Sequence, residues 1–127
     1  MKIVTWNVNS INARIEHLVK FIKKDQSDIY LIQELKCTNE NFPYPEIEKL
    51  GYISYVEGQK AWNGVAILSK IKLNIINRRI PTFIQDVQSR FLETEIKINK
   101  IKKPIKLFCI YLPNGNPIET EKFDYKI

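Results

Sequence analysis

Hydrophobic residues change their spacing twice along the first quarter of the chain. Residues 2–6, KIVTW, form a short β-branched and aromatic run that ends in the turn-forming sequence NVNSIN. The apolar residues that follow have helical spacing: Ile11, Ile15, Leu18, Val19 and Ile22. Residues 27–34, SDIYLIQE, are a nearly continuous apolar run, which is typical of a buried central strand. The pattern predicts a βαβ unit with a right-handed crossover and parallel strands.

The rest of the chain has a pattern of closely spaced strands. A stretch broken by prolines, NENFPYPEIEKLG, comes first and favours a short helix from about Glu46 to Leu50. The apolar runs beyond it cover residues 52–57, 64–70, 72–78, 90–98 and 104–112. A βαβ start followed by antiparallel-type strands predicts an α+β chain of the α/β sandwich type, with one mixed sheet and helices on one face. We find no internal repeat or linker, so we expect residues 1–127 to form a single unit.

Composition limits the class of protein. With 44% hydrophobic and 27% charged residues, the chain lies in the ordinary globular range. No apolar run approaches the roughly 18 residues that a membrane-spanning helix needs, and the first ten residues lack the features of a signal peptide. We therefore expect a cytoplasmic protein with no membrane partner. Cys37 and Cys109 have neither zinc-site nor disulfide-framework spacing, so we expect two reduced structural thiols.

The formal charge of +6 comes from 20 Lys and Arg residues against 14 Asp and Glu residues. A basic surface suits a polyanion such as nucleic acid, because each neutralised phosphate releases counterions. The same excess also fits a lysine-rich soluble protein, as the run KINKIKKPIK at residues 97–106 illustrates. Charge alone leaves both interpretations open.

Polar side chains lie at the carboxyl ends of three predicted strands. Asn7 ends the first, Gln33 and Glu34 end the second, and Tyr111 ends the last, with Asn114 just beyond it. Ligands of open α/β sheets bind outside the carboxyl ends of the strands. Mg²⁺ takes oxygen ligands, typically one or two carboxylates with water and substrate phosphate, so Glu34 is a candidate ligand. The Asn7 amide can orient a water, a phosphate oxygen or the carboxylate. Four basic residues are candidates for phosphate contacts: Arg14, Lys36, Lys60 and Arg90.

Four segments carry a more specific resemblance. They are KIVTWNVNSINAR, SDIYLIQELK, LGYISYVEGQKAWNGVAILSK and YLPNG, in this order along nearly the whole chain. Together they resemble the successive motifs of the exodeoxyribonuclease III family of Mg²⁺-dependent DNA repair nucleases and abasic-site (AP) endonucleases. That family belongs to the endonuclease/exonuclease/phosphatase superfamily. Two mild departures are Ser27, where Pro or Ala is usual, and Leu35, where Thr is common.

The resemblance implies roles for the residues at the predicted edge. Asn7 and Glu34 would belong to the metal and phosphate site, with Mg²⁺ as the cofactor and Mn²⁺ as an alternative metal. Tyr111 would approach the scissile phosphate, so Tyr111 and Asn7 are the candidate catalytic residues. The substrate would be double-stranded DNA with abasic sites or 3′ ends, and the activity that of a hydrolase or lyase. The candidate DNA-binding residues are Lys36, Gln59, Lys60, Trp62, Asn63, Arg90 and Asn114.

The resemblance covers only the amino-terminal half of the family's domain. The second half carries an Asp-x-Asn motif, a further aspartate and a terminal Ser-Asp-His, and nothing in residues 112–127 replaces them. We therefore expect a partial domain that is inactive alone and that is poorly soluble, dimeric, or dependent on a second polypeptide for the missing half. Because that half packs face to face on the first, we also expect the apolar strands around residues 64–70 and 104–112 to be exposed.

Simpler interpretations of the same residues stay open. Glu34 fits an ordinary strand-end carboxylate, Asn7 a turn residue and Tyr111 a core aromatic residue. Arg90 fits a residue that merely pairs with Glu93 or Asp86, and His17, the single histidine, fits a helix surface. Two other functions compete with a nuclease. One is a non-catalytic basic module that binds nucleic acid, and the other is a phosphatase-type member of the same superfamily.

Overall fold

The computed structural model describes residues 1–60, 62–78, 91–96 and 104–111. The predicted Arg90 and Asn114 lie outside these ranges. In chain order the elements are β1 (Ile3–Asn7), α1 (Ile15–Asp25), β2 (Ile29–Gln33), α2 (Tyr44–Glu48), β3 (Ile53–Glu57), β4 (Val65–Ser69), β5 (Asn74–Asn77), β6 (Phe91–Ile96) and β7 (Ile105–Ile110).

The predicted strand–helix–strand start of the chain is confirmed. Strands β1 and β2 are parallel neighbours, with Ile3 opposite Ile29 and Asn7 opposite Gln33. Helix α1 buries Leu18 and Ile22 against them. The helix begins at Ile15, later than the apolar spacing from Ile11 suggests, because Ile11–Arg14 form a turn at the end of β1.

The strands form two sheets in the described part of the chain. The first is mixed and has the order β1-β2-β4-β3, in which β4 is antiparallel to both of its neighbours. The second is antiparallel and has the order β5-β6-β7. The α+β class with a mixed sheet is confirmed, but the expectation of a single sheet is wrong. The physical reason is β4, whose five residues are all buried, so that both faces of the first sheet need a covering layer.

Two hydrophobic cores correspond to the two faces of the first sheet. Ala66 and Leu68 of β4 pack in a core with the helices, whereas Val65 and Ile67 pack in a core with the second sheet. This division follows from the alternation of side chains along a strand. The helices thus lie on one face of the first sheet, as predicted, and β5–β7 lie on the other.

The second sheet covers β4, so the expectation of an exposed apolar strand is wrong for β4 and holds for one face of β7. Leu92, Ile96 and Leu107 pack on the first sheet between the two layers. Exposed apolar side chains on β7 point away from this interface instead, at Phe108 (46% exposed) and Ile110 (43% exposed). The face-to-face sheet packing that we expected a missing half to supply is therefore present within the chain.

Both cysteines are free and buried, as the sequence predicted. Burial raises the pKa of the Cys37 thiol to about 11 and that of Cys109 to about 12, so both are protonated at neutral pH. Among the described helices, none has the length and hydrophobicity to cross a membrane.

Candidate metal and phosphate site

The ends of β1 and β2 stay together beyond the sheet. The Val8 amide donates to the Gln33 carbonyl at 3.0 Å, and the Ser10 amide donates to the Glu34 carbonyl at 2.9 Å. The Ile11 amide continues the series at 3.0 Å to the Leu35 carbonyl. The segments after Asn7 and Gln33 therefore run side by side, which places Asn7 and Glu34 at the same edge.

Left-handed backbone conformations concentrate at this edge. Five of the six non-glycine residues with positive φ in the described part of the chain lie here: Asn9, Ser10, Glu34, Lys36 and Asn63. Such conformations cost about 1–3 kcal/mol each and cluster at functional sites, where the surrounding structure holds them. The strain favours a functional interpretation of Glu34 over that of an ordinary strand-end carboxylate.

Asn9 connects the polar groups of the edge. Its amide N–H donates to Asn7 Oδ1 at 3.0 Å, and its carbonyl accepts a hydrogen bond from Arg14 Nη1 at 2.9 Å. Its Oδ1 accepts a hydrogen bond from Lys36 Nζ at 2.6 Å, and the same ammonium lies 3.3 Å from Glu34 Oε1. Asn9 is not among the site residues predicted from the sequence, although two asparagines two residues apart in a turn signal this kind of side-chain-to-backbone hydrogen bond.

The oxygens at this edge suit a hard cation. Glu34 Oε1 and Asn9 Oδ1 already share one positive charge, the Lys36 ammonium, and the Glu34 side chain is only 20% exposed. Mg²⁺ takes such carboxylate and amide oxygens and completes its shell with water and phosphate. The residues present fit a metal of this kind with few protein ligands. No group of three or more His, Cys, Asp or Glu residues with metal-binding geometry occurs among the described residues.

The two residues before β4 support the Glu34–Lys36 segment from the other side. The Leu35 amide donates to the Gly64 carbonyl at 3.1 Å, and the Lys36 amide donates to the Asn63 carbonyl at 2.9 Å. The segment is therefore held between the turn after β1 and the loop before β4. Its position depends on both neighbours.

The loop before β4 contains four of the predicted DNA-binding residues. Asn63 is buried (4% exposed), and its Nδ2 donates to Gln59 Oε1 at 2.9 Å. Trp62 is 65% exposed, and Lys60 is also exposed. Asn63 and Gln59 thus fix the loop's shape from within, while Lys60 and Trp62 face solvent.

Tyr111 directly follows β7 at the same edge. Cys109, two residues earlier, donates its thiol to the Ile32 carbonyl at 3.4 Å and accepts a hydrogen bond from Gln33 Nε2 at 3.6 Å. The end of β7 therefore lies over the end of β2. Tyr111 is half-buried and packs against the core between the sheets.

These features define an α+β protein of two packed sheets with a polar, strained edge that is suited to a cation and a phosphate. Residues 4–111 match the model of the Endonuclease/Exonuclease/phosphatase family. The chain therefore belongs to the endonuclease/exonuclease/phosphatase family.

Individual relatives agree with the predicted branch. The chain is 38% identical over 97 residues to exodeoxyribonuclease III of Haemophilus influenzae, a match that covers 76% of this chain and 36% of that protein. It superimposes with a TM-score of 0.87 and 32% identity on a 3′-5′ exonuclease from Neisseria meningitidis, over 99% of this chain and 47% of that one. For an AP endonuclease from Archaeoglobus fulgidus the TM-score is 0.83 and the identity 31%, with 97% and 46% covered. The resemblance found in the sequence is confirmed, and the chain spans less than half the length of each relative.

Proposed function

We propose that this chain is part of an exodeoxyribonuclease III-type DNA repair nuclease that hydrolyses phosphodiesters at abasic sites and 3′ ends of duplex DNA with Mg²⁺. The observation that carries the proposal is the pair of oxygens, Glu34 Oε1 and Asn9 Oδ1, that share one cationic group at the edge where β1 and β2 end. The Neisseria relative, a 3′ phosphatase, has been solved bound to a product DNA hairpin. That complex supports DNA as the ligand of this edge.

The roles of the edge residues follow from their chemistry. Glu34 would hold Mg²⁺, or Mn²⁺ in its place, and Asn7 orients Asn9 by accepting the hydrogen bond from its amide. When bound, the divalent ion would supply polarisation of a phosphoryl oxygen and would neutralise the charge that develops on it. The phenol of Tyr111 donates a hydrogen bond to a phosphate oxygen. Lys36, whose ammonium is partly exposed beside Glu34, contributes positive charge to the same phosphate.

The loop before β4 contacts the duplex beyond the reacting phosphate. Lys60 binds a backbone phosphate, and the exposed indole of Trp62 packs on the DNA. Gln59 and Asn63 hold the loop and bring its polar atoms close to the groove. Arg90 and Asn114 stay predicted DNA contacts in residues that lie outside the described ranges.

The described residues supply only part of the chemistry. Hydrolysis needs a group that activates the attacking water. Glu34 is paired with Lys36, and the single histidine, His17, is exposed in the first turn of α1. We infer that this chain alone binds DNA without cleaving it. A segment that corresponds to the second half of the relatives completes the site, and it is supplied by a second polypeptide or by the same one.

The test is incision of a fluorescent duplex that carries one abasic site, with Mg²⁺ and with EDTA. We expect no incision by the chain alone and Mg²⁺-dependent incision after addition of the second half of a related enzyme. Glu34→Gln abolishes this activity, while Glu46→Gln, an exposed position on α2, leaves it unchanged.

Three other outcomes contradict parts of the proposal. Incision by the chain alone refutes the incomplete site. Binding without incision in the complemented protein indicates a non-catalytic nucleic-acid-binding module. Release of phosphate from a 3′-phosphorylated duplex, without abasic-site incision, indicates a phosphatase-type member of the family.

A further inference from the structure

Two loops meet beside the candidate site. One follows Lys36 and contains Asn39, and the other follows β3 and begins at Gly58. The Gly58 amide donates to Asn39 Oδ1 at 2.6 Å, and Asn39 Nδ2 donates to the Val56 carbonyl at 3.4 Å. One side-chain amide therefore joins the loop at residues 37–42 to the start of the loop at residues 58–62.

The contact is close as well as polar. A Cβ atom at Gly58 would lie 2.5 Å from the Cys37 carbonyl oxygen and 2.8 Å from the Asn39 amide nitrogen. Both neighbours are backbone atoms, so neither can move without shifting the loop itself. Glycine thus permits the two backbones to approach each other here.

The loop at residues 58–62 is therefore connected at its beginning to the loop that follows Lys36, and just after its end to Lys36 itself. At its beginning the link is Gly58 to Asn39, three residues after Lys36. Just after its end the link is the Lys36 amide to the Asn63 carbonyl at 2.9 Å. The exposed Trp62 lies between these two links along the chain.

We propose that Asn39 is a positioning residue that fixes the loop at residues 58–62 for binding to duplex DNA and so sets the preference for duplex over single-stranded DNA. The inference rests on the proposed function. A rigid spacing between the phosphate site and the loop suits the fixed geometry of a double helix, whereas a flexible single strand adapts to either loop position. Preorganising a loop increases affinity because less conformational freedom is lost on binding.

The test compares three variants at matched positions. Asn39→Ala removes both hydrogen bonds, whereas Asn39→Asp keeps the oxygen that accepts from the Gly58 amide. Asn41→Ala is the matched control, because Asn41 contacts its neighbours through its backbone: its amide donates to the Thr38 carbonyl, and its carbonyl accepts from Asn12.

Two quantities are measured for each variant. The first is hydrogen exchange of the Gly58 amide by NMR, which reports the contact directly. The second is the dissociation constant for a labelled single strand divided by the dissociation constant for the duplex that this strand forms, which contains an abasic-site analogue. Both constants are measured by fluorescence anisotropy. The ratio cancels the uniform repulsion that a new Asp adds to both DNA forms.

We expect Asn39→Ala to accelerate Gly58 exchange and to reduce the duplex preference by about two- to tenfold, as for the loss of the short hydrogen bond from the Gly58 amide. Asn39→Asp and Asn41→Ala should keep both values near wild type. If Gly58 exchange stays slow in Asn39→Ala, or accelerates while the preference is unchanged, the positioning role is wrong and the proposed function stands. A wild-type chain that binds neither DNA overturns the proposed function itself, whatever the Gly58 exchange shows.

Discussion

Gly64 offers a quantitative test of how closely the site segment is packed. Its φ of +91° lies in the region that favours glycine, and its carbonyl accepts the hydrogen bond from the Leu35 amide. A Cβ atom at Gly64 would lie 2.9 Å from Leu35 Cβ, an atom next to the backbone that cannot rotate away. Gly51 is a matched control, because its φ of +89° is similar but no atom lies within 4 Å of its added Cβ.

The two alanine variants share one cost and differ in the other. The left-handed backbone should cost both Gly51→Ala and Gly64→Ala about 1–2 kcal/mol. The steric overlap with Leu35 should add about 1–3 kcal/mol to Gly64→Ala alone. We therefore expect losses in the free energy of unfolding of about 1–2 kcal/mol for Gly51→Ala and about 2–5 kcal/mol for Gly64→Ala. The larger loss is substantial against a total stability of about 5–15 kcal/mol for a typical domain.

The assay is urea unfolding followed by tryptophan fluorescence, with the denaturant slope checked for each variant. Because relief of the overlap must move Leu35, Gly64→Ala should also weaken Mn²⁺ binding by the adjacent Glu34, whereas Gly51→Ala should not. Equal losses of stability in the two variants would refute the claim that the site segment is packed tightly on Gly64.

Two further predictions concern stability. Leu92→Ala, which leaves a cavity between the two sheets, should cost about 2–5 kcal/mol in urea unfolding, and a negligible loss would mean that β6 does not pack on the first sheet. The pKa of Asp25 lies well below its usual range, because the Lys2 ammonium and two neighbouring hydroxyl groups donate hydrogen bonds to its carboxylate. A carboxyl whose pKa is depressed in the folded state contributes stability above its unfolded-state pKa of about 3.9. This contribution is lost as pH falls from that value toward the folded-state pKa. The stability difference between wild type and Asp25→Asn, measured from pH 7 down to pH 2, should therefore shrink below about pH 4, and a constant difference would contradict this assignment.

The sequence was most informative where local pattern and topology agree. The continuous apolar run at Ile29–Gln33 predicted a central strand, and a parallel partner then required Asn7 and Glu34 to lie at one edge. Leu92 and Ile96 are four residues apart in β6 and therefore share the face that packs between the sheets. These features depend on periodicity and strand direction, which the sequence contains.

The division into two sheets could not be predicted in the same way. An antiparallel pattern in β5–β7 fits an extension of the first sheet as well as a second sheet, and only packing against the apolar face of β4 decides between them. The role of Asn9 depends on its left-handed backbone, φ +46°, which brings its side chain to Lys36. Such a conformation is imposed by the neighbouring strands and leaves no periodic signal.

The central claim is that the ends of β1, β2 and β7 form a divalent-metal site. Its most direct test is titration of Mn²⁺ into ¹⁵N-labelled protein, with paramagnetic broadening of each backbone amide recorded by NMR. The account predicts selective broadening at residues 7–10 and 33–36 and at Tyr111, and loss of this broadening in Glu34→Gln. Broadening centred instead on Asp25 and Asp28 at the opposite end of the sheet, or unchanged in Glu34→Gln, would contradict it.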